Sequence, residues 1–287
     1  MYVPARASFK EVLTDGFQKG YAVGQFNVNG LEYIQAIVEV AEEERSPVIL
    51  GISEGAMKYV GMDYLIGMAN AAKMKATVPV ILHLDHGPHF ELVMKCIRSG
   101  FDSIMYDGSH HPLEQNIQET KRVVEACHAV GIDVEGELGR IAGAEDDLSV
   151  DEREAMLVIP EEARRLVDET GIDALAPAIG SAHGHYKGEP KLHFDRLNEI
   201  RDLVKIPLVL HGGTGIPDSD IQRAIALGVA KINVNTENQD VFTRTVREVL
   251  LTSPKMFDPR KYLGPARAAI KETIRAKIRL FGSHQRA

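Results

Sequence analysis

Val80-Ile81-Leu82-His83-Leu84-Asp85-His86-Gly87-Pro88 is an apolar run that ends in two imidazoles and a carboxylate and then stops at Gly-Pro. A short apolar run bounded by glycine and proline reads as a buried strand. Two further runs end in the same manner. Ala174 to Ile179 leads to Gly180-Ser181-Ala182-His183-Gly184, and Pro207 to Leu210 leads to His211-Gly212-Gly213-Thr214-Gly215. Three strand ends therefore offer histidine beside glycine.

Working outward from these, eight apolar runs can be marked: Tyr21 to Val28, Pro47 to Ile52, Val78 to Leu84, Asp102 to Tyr106, Ile132 to Leu138, Asp173 to Ile179, Ile206 to His211 and Ala230 to Val234. Between them lie helical patterns, such as Leu31, Ile34, Ile37, Val38 and Ala41 after the first run, or Ile221, Ala224, Ile225 and Leu227 after the seventh. Alternating strand and helix implies parallel strands, and eight continuously apolar ones favour closure into a (β/α)8 TIM barrel of the α/β class over an open doubly wound sheet. The 287 residues suit one such barrel, for which about 250 are typical. The chain reads as one domain over 1–287. After a helix from about Glu237, Ser253-Pro254 and Asp258-Pro259-Arg260-Lys261-Tyr262 lead into a final helical pattern from Pro265 to Leu280. Ser253 to Ala287 is thus a C-terminal extension, expected to pack on the barrel or on a neighbouring subunit.

A net charge of -8 disfavours a general nucleic-acid binder, so affinity for an anion must come from a local pocket. No run approaches a membrane span, and Met1 to Leu13 lacks the apolar core of a signal peptide. The expectation is a cytoplasmic protein with neither nucleic-acid nor membrane partner. Cys96 and Cys127 stand alone inside helical patterns without paired spacing, which reads as two reduced thiols.

In such barrels the loops after the strands build the active site. The polar residues gather there: Asn27 and Asn29 after the first run, Ser53 and Glu54 after the second, Asp85 and His86, then Asp107, with Glu135 and Glu137 in the fifth. Two long connections, Gly139 to Pro160 and Gly180 to Leu192, read as glycine-containing lids. A single histidine on an apolar strand is more often a core residue than a ligand. Three at convergent strand ends fit a catalytic zinc, which takes neutral imidazoles and keeps one position open, so His86, His183 and His211 are the candidate ligands. His83 alternates with Asp85 and should lie deeper, in the core or supporting the site. Asp85 could ligate the metal, orient His86 or act as an acid/base, and the residues alone leave these open. The glycine-bearing segments at His183-Gly184 and His211 to Gly215, with Asn233 to Thr236, offer backbone N–H groups after the last strands, where barrels often hold phosphate; each alone would equally be a plain tight turn.

Taken together, Gln25-Phe26-Asn27-Val28-Asn29, His83 to Gly87, Glu135-Gly136-Glu137-Leu138-Gly139, His183-Gly184, Leu210 to Gly215 and Lys231 to Glu237 resemble class II, zinc-dependent fructose-bisphosphate aldolases, in the bacterial branch shared with tagatose-bisphosphate aldolases. The likeness runs nearly end to end. It implies one zinc per subunit on His86, His183 and His211, with Asp85 as the acid/base at the C4 hydroxyl and Glu145 as a mobile-loop glutamate exchanging a proton at C3. Asp107 and Glu137 match carboxylates near the metal, where a second or displaced divalent cation is sometimes held. Gly184, Lys187, Gly212, Gly213, Thr214 and Thr236 match the C1-phosphate pocket, beside which relatives bind a monovalent cation, Na+ or K+. Ser53 and Asn233 match contacts to the phosphate or the enediolate, and Arg260 matches an arginine that reaches the C6 phosphate of a neighbouring subunit in a homodimer or homotetramer. The sequence departs from some relatives at Ala144, Asn235 and Gln239.

The resemblance implies reversible retro-aldol cleavage of fructose 1,6-bisphosphate in glycolysis and gluconeogenesis, with tagatose 1,6-bisphosphate as the alternative sugar. Fructose-specific relatives tend to carry aspartate where Asn235 stands, and tagatose-type ones a small apolar residue; asparagine keeps the hydrogen bonding of the former. A Schiff-base aldolase would need a lysine projecting from a middle strand, and Lys231 reads as lying near the start of the last strand at the wrong face. A metal-dependent hydrolase lacks its paired histidines on the first strand. A metal- or sugar-phosphate-binding protein without turnover has no use for Asp85 and Glu145 beside the ligands.

Overall fold

The computed structural model describes residues 7–145, 148–150, 156–186, 188 and 190–287, with the backbone alone at 142, 144, 145 and 148–150. In chain order its strands are β1 (Val23–Asn27), β2 (Val48–Ile52), β3 (Val80–Gly87), β4 (Ser103–Tyr106), β5 (Asp133–Leu138), β6 (Ala142–Glu145), β7 (Leu148–Val150), β8 (Ala174–Pro177), β9 (Ala182–His183), β10 (Leu208–Leu210) and β11 (Val229–Val234). The eight strands β1, β2, β3, β4, β5, β8, β10 and β11 close into a barrel in that order, with β11 returning to β1, and its pairs are parallel. Each of the eight apolar runs supplies one of them. The chain folds as a TIM barrel.

Period-2 alternation sorts each strand between two packed regions. Phe26, Leu50, Leu82, Leu84, Ile104, Val134, Leu175, Leu210 and Ile232 face outward into one core shared with the surrounding helices. Inside, the lower lumen is filled by Val23, Ile49, Ile81, Ala174, Ala176, Val209 and Ala230. Phe9, Val12 and Leu13 of the helix Phe9–Lys19 pack against them and stopper that end. Toward the carboxyl ends of the strands the buried side chains turn polar: Gln25, His83, Glu135 and Lys231, then Asn27, Asp85, Glu137, Asn233 and His211. The change from branched apolar to polar filling marks the working end.

Two connections depart from the expected open lids. β6 pairs antiparallel with β7 and parallel with β9, so the Gly139 to Pro160 and Gly180 to Leu192 connections share a three-stranded sheet outside the barrel. No alternating pattern of the strand type runs through Ala142-Gly143-Ala144-Glu145, and its pairing is a matter of backbone hydrogen bonds that the sequence does not signal. The last helix is longer than its periodicity suggests, running Arg260–Phe281 with Pro265 inside it. Asp258 starts it by accepting from the Arg260 N–H at 3.0 Å. Similarly, the helix expected from Glu237 begins one residue earlier, at Thr236.

The terminal helix buries Ile270, Ile274, Ile278 and Phe281. It lies against the helix Leu31–Glu44, where Lys271 meets Glu39 at 3.1 Å and Glu43 at 2.7 Å, and Arg279 meets Glu44 at 2.8 Å. Exposed ion pairs contribute at most about 1 kcal/mol each, whereas burying each large apolar side chain contributes roughly 1.5–3 kcal/mol. The apolar stripe therefore holds the extension on the barrel and the charges set its register. Cys96 and Cys127 are buried free thiols. Among the described residues no helix is long and apolar enough to cross a membrane.

Candidate active site and metal centre

Alternation along β3 directs His83 and Asp85 into the lumen and would turn His86 outward. The backbone prevents this. His86 adopts a left-handed conformation, φ 50°, and the pairing of β3 with β4 shifts between Leu84 and Gly87. A bulge of this kind re-aims a side chain, and holding a non-glycine residue there costs about 1–3 kcal/mol that the surrounding packing must supply. As a result Asp85 and His86 both reach the mouth of the barrel, and both are buried.

His183 comes from β9, outside the barrel, and is brought in by close backbone approach. Gly143, φ 101°, and Gly212, φ 66°, sit where an added Cβ would lie 2.0 Å from the His183 carbonyl oxygen and 2.1 Å from the Ala182 carbonyl oxygen, respectively. The Tyr186 hydroxyl fastens the same junction, accepting from Ala182 N–H at 2.9 Å and donating to the Gly212 carbonyl at 3.0 Å. His211 directly follows β10 and is buried.

These three rings converge. His211 Nδ1 is 3.0 Å from His86 Nε2 and 3.4 Å from His183 Nε2. The nitrogens of a tetrahedral zinc site, each about 2.0–2.1 Å from the ion, stand roughly 3.3 Å apart, so the spacing fits. The outer nitrogens of two rings are engaged: His86 Nδ1–H donates to Asp107 Oδ2 at 3.0 Å, and His211 Nε2–H donates to Glu135 Oε1 at 3.0 Å. A carboxylate behind a ligating imidazole fixes its tautomer and leaves the inward nitrogen with its lone pair. Burial holds the His183 imidazole down at about 3, and the neighbouring His86 adds to the shift. Burial likewise keeps His211 well below its usual range. Neutral rings of this kind suit a metal.

His86, Asp107 and Glu137 form a second group whose ligand atoms lie within 4.8 Å of one another. Glu137 Oε2 has no hydrogen-bond partner among the described residues. Burial, reinforced by Asp107, pushes the Glu137 carboxyl well above the usual carboxylate range. A cation would relieve that crowding.

Asp85 is wholly buried beside His86. Its two oxygens accept from Asn27 Nδ2 at 2.8 Å and Asn233 Nδ2 at 3.2 Å. Burial by itself raises its pKa, but the charge of His86, then that of Lys231, bring it below the usual range. The group is an ionised acceptor poised at the mouth. His83 lies deeper, as its alternation with Asp85 implies: Nδ1 is 2.8 Å from Ser103 Oγ and the ring stacks on Phe9 at 5.0 Å. Burial keeps it neutral, with a pKa of about 3.

The remaining sequence candidates divide. Gly213 N–H donates to the Asn233 carbonyl at 3.1 Å, and Thr214 Oγ1 accepts from Glu237 N–H at 3.3 Å, so the glycine loop meets the start of the helix Thr236–Thr252. Asn235 precedes that helix and takes a long 3.5 Å contact from Asn29 Nδ2. Ser53 caps the helix Glu54–Val60, accepting from Ala56 N–H at 3.2 Å. Gly184 follows His183 in a left-handed turn, φ 78°. Arg260 is not drawn in: its side chain is 88% exposed and pairs with Asp258 at 2.9 Å. Lys187 and the Glu145 side chain lie outside the described residues, although the Glu145 backbone is two residues past Gly143, the partner of His183.

Lys231 corrects a sequence expectation. It is not at a distant face but projects into the lumen, wholly buried, with Nζ 2.9 Å from Glu135 Oε2. Its partner Glu135, which the sequence groups with the polar residues of the working end without a role, gains one from this contact. The available signal was alternation, since Glu135 and Glu137 share one face of β5 as Lys231 and Asn233 share one face of β11.

Residues 7–286 match the family described as fructose-bisphosphate aldolase class-II. The chain is 55% identical over 283 residues to the fructose-bisphosphate aldolase of Geobacillus stearothermophilus, covering 98% of each. It is 53% identical over 283 residues to that of Staphylococcus aureus strain Mu50, again covering 98% of each. Its fold is similar to that of the YdjI aldolase of Escherichia coli K12, with a TM-score of 0.85, 36% identity and coverage of 98% and 99%. The chain belongs to the class II fructose-bisphosphate aldolase family.

The convergent nitrogens predict that chelator-treated protein takes up roughly one tightly held zinc ion per chain. Alanine at His86, His183 or His211 should bring that stoichiometry toward zero by elemental analysis. Full retention of metal by His211→Ala would remove the assignment.

Proposed function

We propose that this aldolase reversibly cleaves fructose 1,6-bisphosphate into dihydroxyacetone phosphate and glyceraldehyde 3-phosphate, with zinc held by His86, His183 and His211. The observation that carries the reading is a buried, ionised carboxylate, Asp85, set beside three imidazoles whose inward nitrogens face one another. When bound, zinc supplies a Lewis acid that stabilises negative charge at a ketone oxygen.

The chain's own groups do the rest. Asn27 and Asn233 hold the Asp85 carboxylate from two sides, so it meets a substrate hydroxyl in one orientation. Asp85 takes the C4 hydroxyl proton, the C4–O electrons form the aldehyde, and the C3–C4 bond breaks with its electron pair left on C3. Glu145 delivers a proton to C3, giving dihydroxyacetone phosphate. Backbone N–H groups of Gly184 and Gly212, the hydroxyls of Ser53, Thr214 and Thr236, and Lys187 would hold the C1 phosphate at the start of the helix Thr236–Thr252, where the helix dipole favours an anion, while Gly213, its N–H given to the Asn233 carbonyl, shapes that loop. Asn233 would contact the three-carbon product. Asp107 and Glu137 are the carboxylates for a second or displaced divalent ion, and a monovalent cation, Na+ or K+, would sit beside the phosphate. With that reaction goes a role in glycolysis and gluconeogenesis and a cytoplasmic location.

Removing a general acid/base costs about 10²- to 10⁴-fold. Asp85→Ala should show that loss in kcat while keeping its metal, and stoichiometric loss of metal in that variant would move Asp85 among the ligands.

We also infer a homodimer or homotetramer. Phe257 is 91% exposed and Leu251 79%, an apolar surface beside Arg260 that a partner chain would cover. Arg260 would then serve the C6 phosphate in the adjacent subunit. Mixed subunits of Arg260→Ala and Asp85→Ala, each inactive alone, should regain activity; a fully active monomer at assay concentration would end this reading.

Fructose 1,6-bisphosphate should be preferred over tagatose 1,6-bisphosphate. The sugars differ in the direction of the C4 hydroxyl, and a lost polar contact there discriminates more strongly than a lost methylene. Asn235, with its amide at the mouth and 8% exposed, is the group assigned to that contact. Asn235→Ala should narrow the ratio of kcat/KM between the epimers. Equal or better cleavage of the tagatose epimer by the unaltered enzyme would overturn both the residue and the substrate.

A further inference from the structure

We propose that Lys231 is a positioning residue whose buried ammonium orients two arms of the site at once, His211 through Glu135 and Asp85 through Asn233. The inference rests on the metal-binding reading of the histidine cluster. Lys231 is wholly buried, and its Nζ lies 2.9 Å from Glu135 Oε2, 3.2 Å from Glu135 Oε1 and 2.8 Å from Asn233 Oδ1.

On the first arm, the ion pair pins Glu135 so that Oε1 stands 3.0 Å from His211 Nε2. A carboxylate only accepts, so the ring must present Nε2–H to it. The lone pair is then on Nδ1, the nitrogen that faces His86 and His183 at 3.0 and 3.4 Å. Without the lysine, Glu135 would be free to swing toward His83, whose Nε2 is 3.6 Å from Oε2.

On the second arm, the ammonium only donates, so it fixes which end of the Asn233 amide points toward it. Oδ1 is held by Lys231, and Nδ2 is left to donate to Asp85 Oδ1 at 3.2 Å. A flipped amide would set its oxygen against the carboxylate. One cation therefore sets the tautomer of a candidate ligand and the direction of the hydrogen bond to the candidate base, though it touches neither group.

Breaking one side of a buried ion pair is strongly destabilising, so the single variant Lys231→Met is compared with Lys231→Met/Glu135→Gln, which leaves no unpaired charge. The measurements are zinc affinity by chelator competition, melting temperature, and kcat and KM separately. The double variant should melt near the unaltered protein, bind zinc about 10- to 100-fold more weakly, as loss of a carboxylate behind a ligating histidine does, and lose kcat with little change in KM. Unaltered zinc affinity and kcat in a folded double variant would reduce Lys231 to a structural role. Should neither variant fold, the imidazole N–H resonances of the unaltered zinc-loaded protein decide: a proton on His211 Nε2 supports the proposal, and one on Nδ1 overturns it. Affinity and tautomer are read without substrate. A chain that binds zinc yet cleaves no sugar bisphosphate would sink the proposed function and leave this test intact.

Discussion

Three ring nitrogens that face one another at 3.0 and 3.4 Å cannot all present lone pairs without a positive charge among them. A neutral imidazole owns one N–H, and two of the three rings spend theirs outward, on Asp107 and on Glu135. The inward nitrogens can close on one another only with a positive charge among them, which a bound cation would supply and which otherwise falls to His86: burial lowers its pKa, but the hydrogen bond to Asp107 and the charges of Asp85 and Glu137 raise it well above the usual range. That requirement explains features that would otherwise be liabilities. The left-handed backbone at His86 is a strained conformation for a residue with a side chain, and it is the means by which consecutive residues Asp85 and His86 both enter the mouth. The two glycines against β9 accept contacts no other residue could make, and by doing so they admit His183 from outside the barrel.

The lumen is arranged around the same requirement. Its lower part is apolar and stoppered by Phe9, Val12 and Leu13, so the structure gains burial where no chemistry is needed. Above it, polar groups are taken out of water at a cost that only mutual pairing offsets. Asp85, Glu135, Glu137 and Asp107 are set against the single ammonium of Lys231. A divalent cation would offset part of that excess of carboxylates. Even the elevated affinity of Glu137 for a proton is the behaviour of a carboxylate in a site with too little positive charge.

Much of this was legible in the sequence, for identifiable reasons. Strand positions were legible because each barrel strand is an uninterrupted apolar run between turn residues, and the end of the barrel that works was legible because histidine, asparagine and acidic residues collect after those runs. His86, His183 and His211 could be picked out of the histidines by position alone. Less was visible where the fold departs from local rules. Nothing in Asp85-His86-Gly87 announces a positive φ at the histidine, and the sheet of β6, β7 and β9 rests on backbone pairing between segments of irregular composition. Lys231 was misjudged for a related reason: a lysine in a strand reads as a charge to be solvated, and only the barrel's closure shows that Glu135, 96 positions away, waits for it across the lumen.

That same lysine separates the two ways an aldolase can make an electron sink. A Schiff-base enzyme needs an amine that is neutral part of the time and free to attack a ketone. Lys231 is neither. Its Nζ is within 3.2 Å of three oxygens, both of Glu135 and one of Asn233. It is also wholly buried. The amine that could have been a nucleophile is instead engaged as a donor to Glu135 and Asn233, and the electron sink passes to whatever the three imidazoles hold.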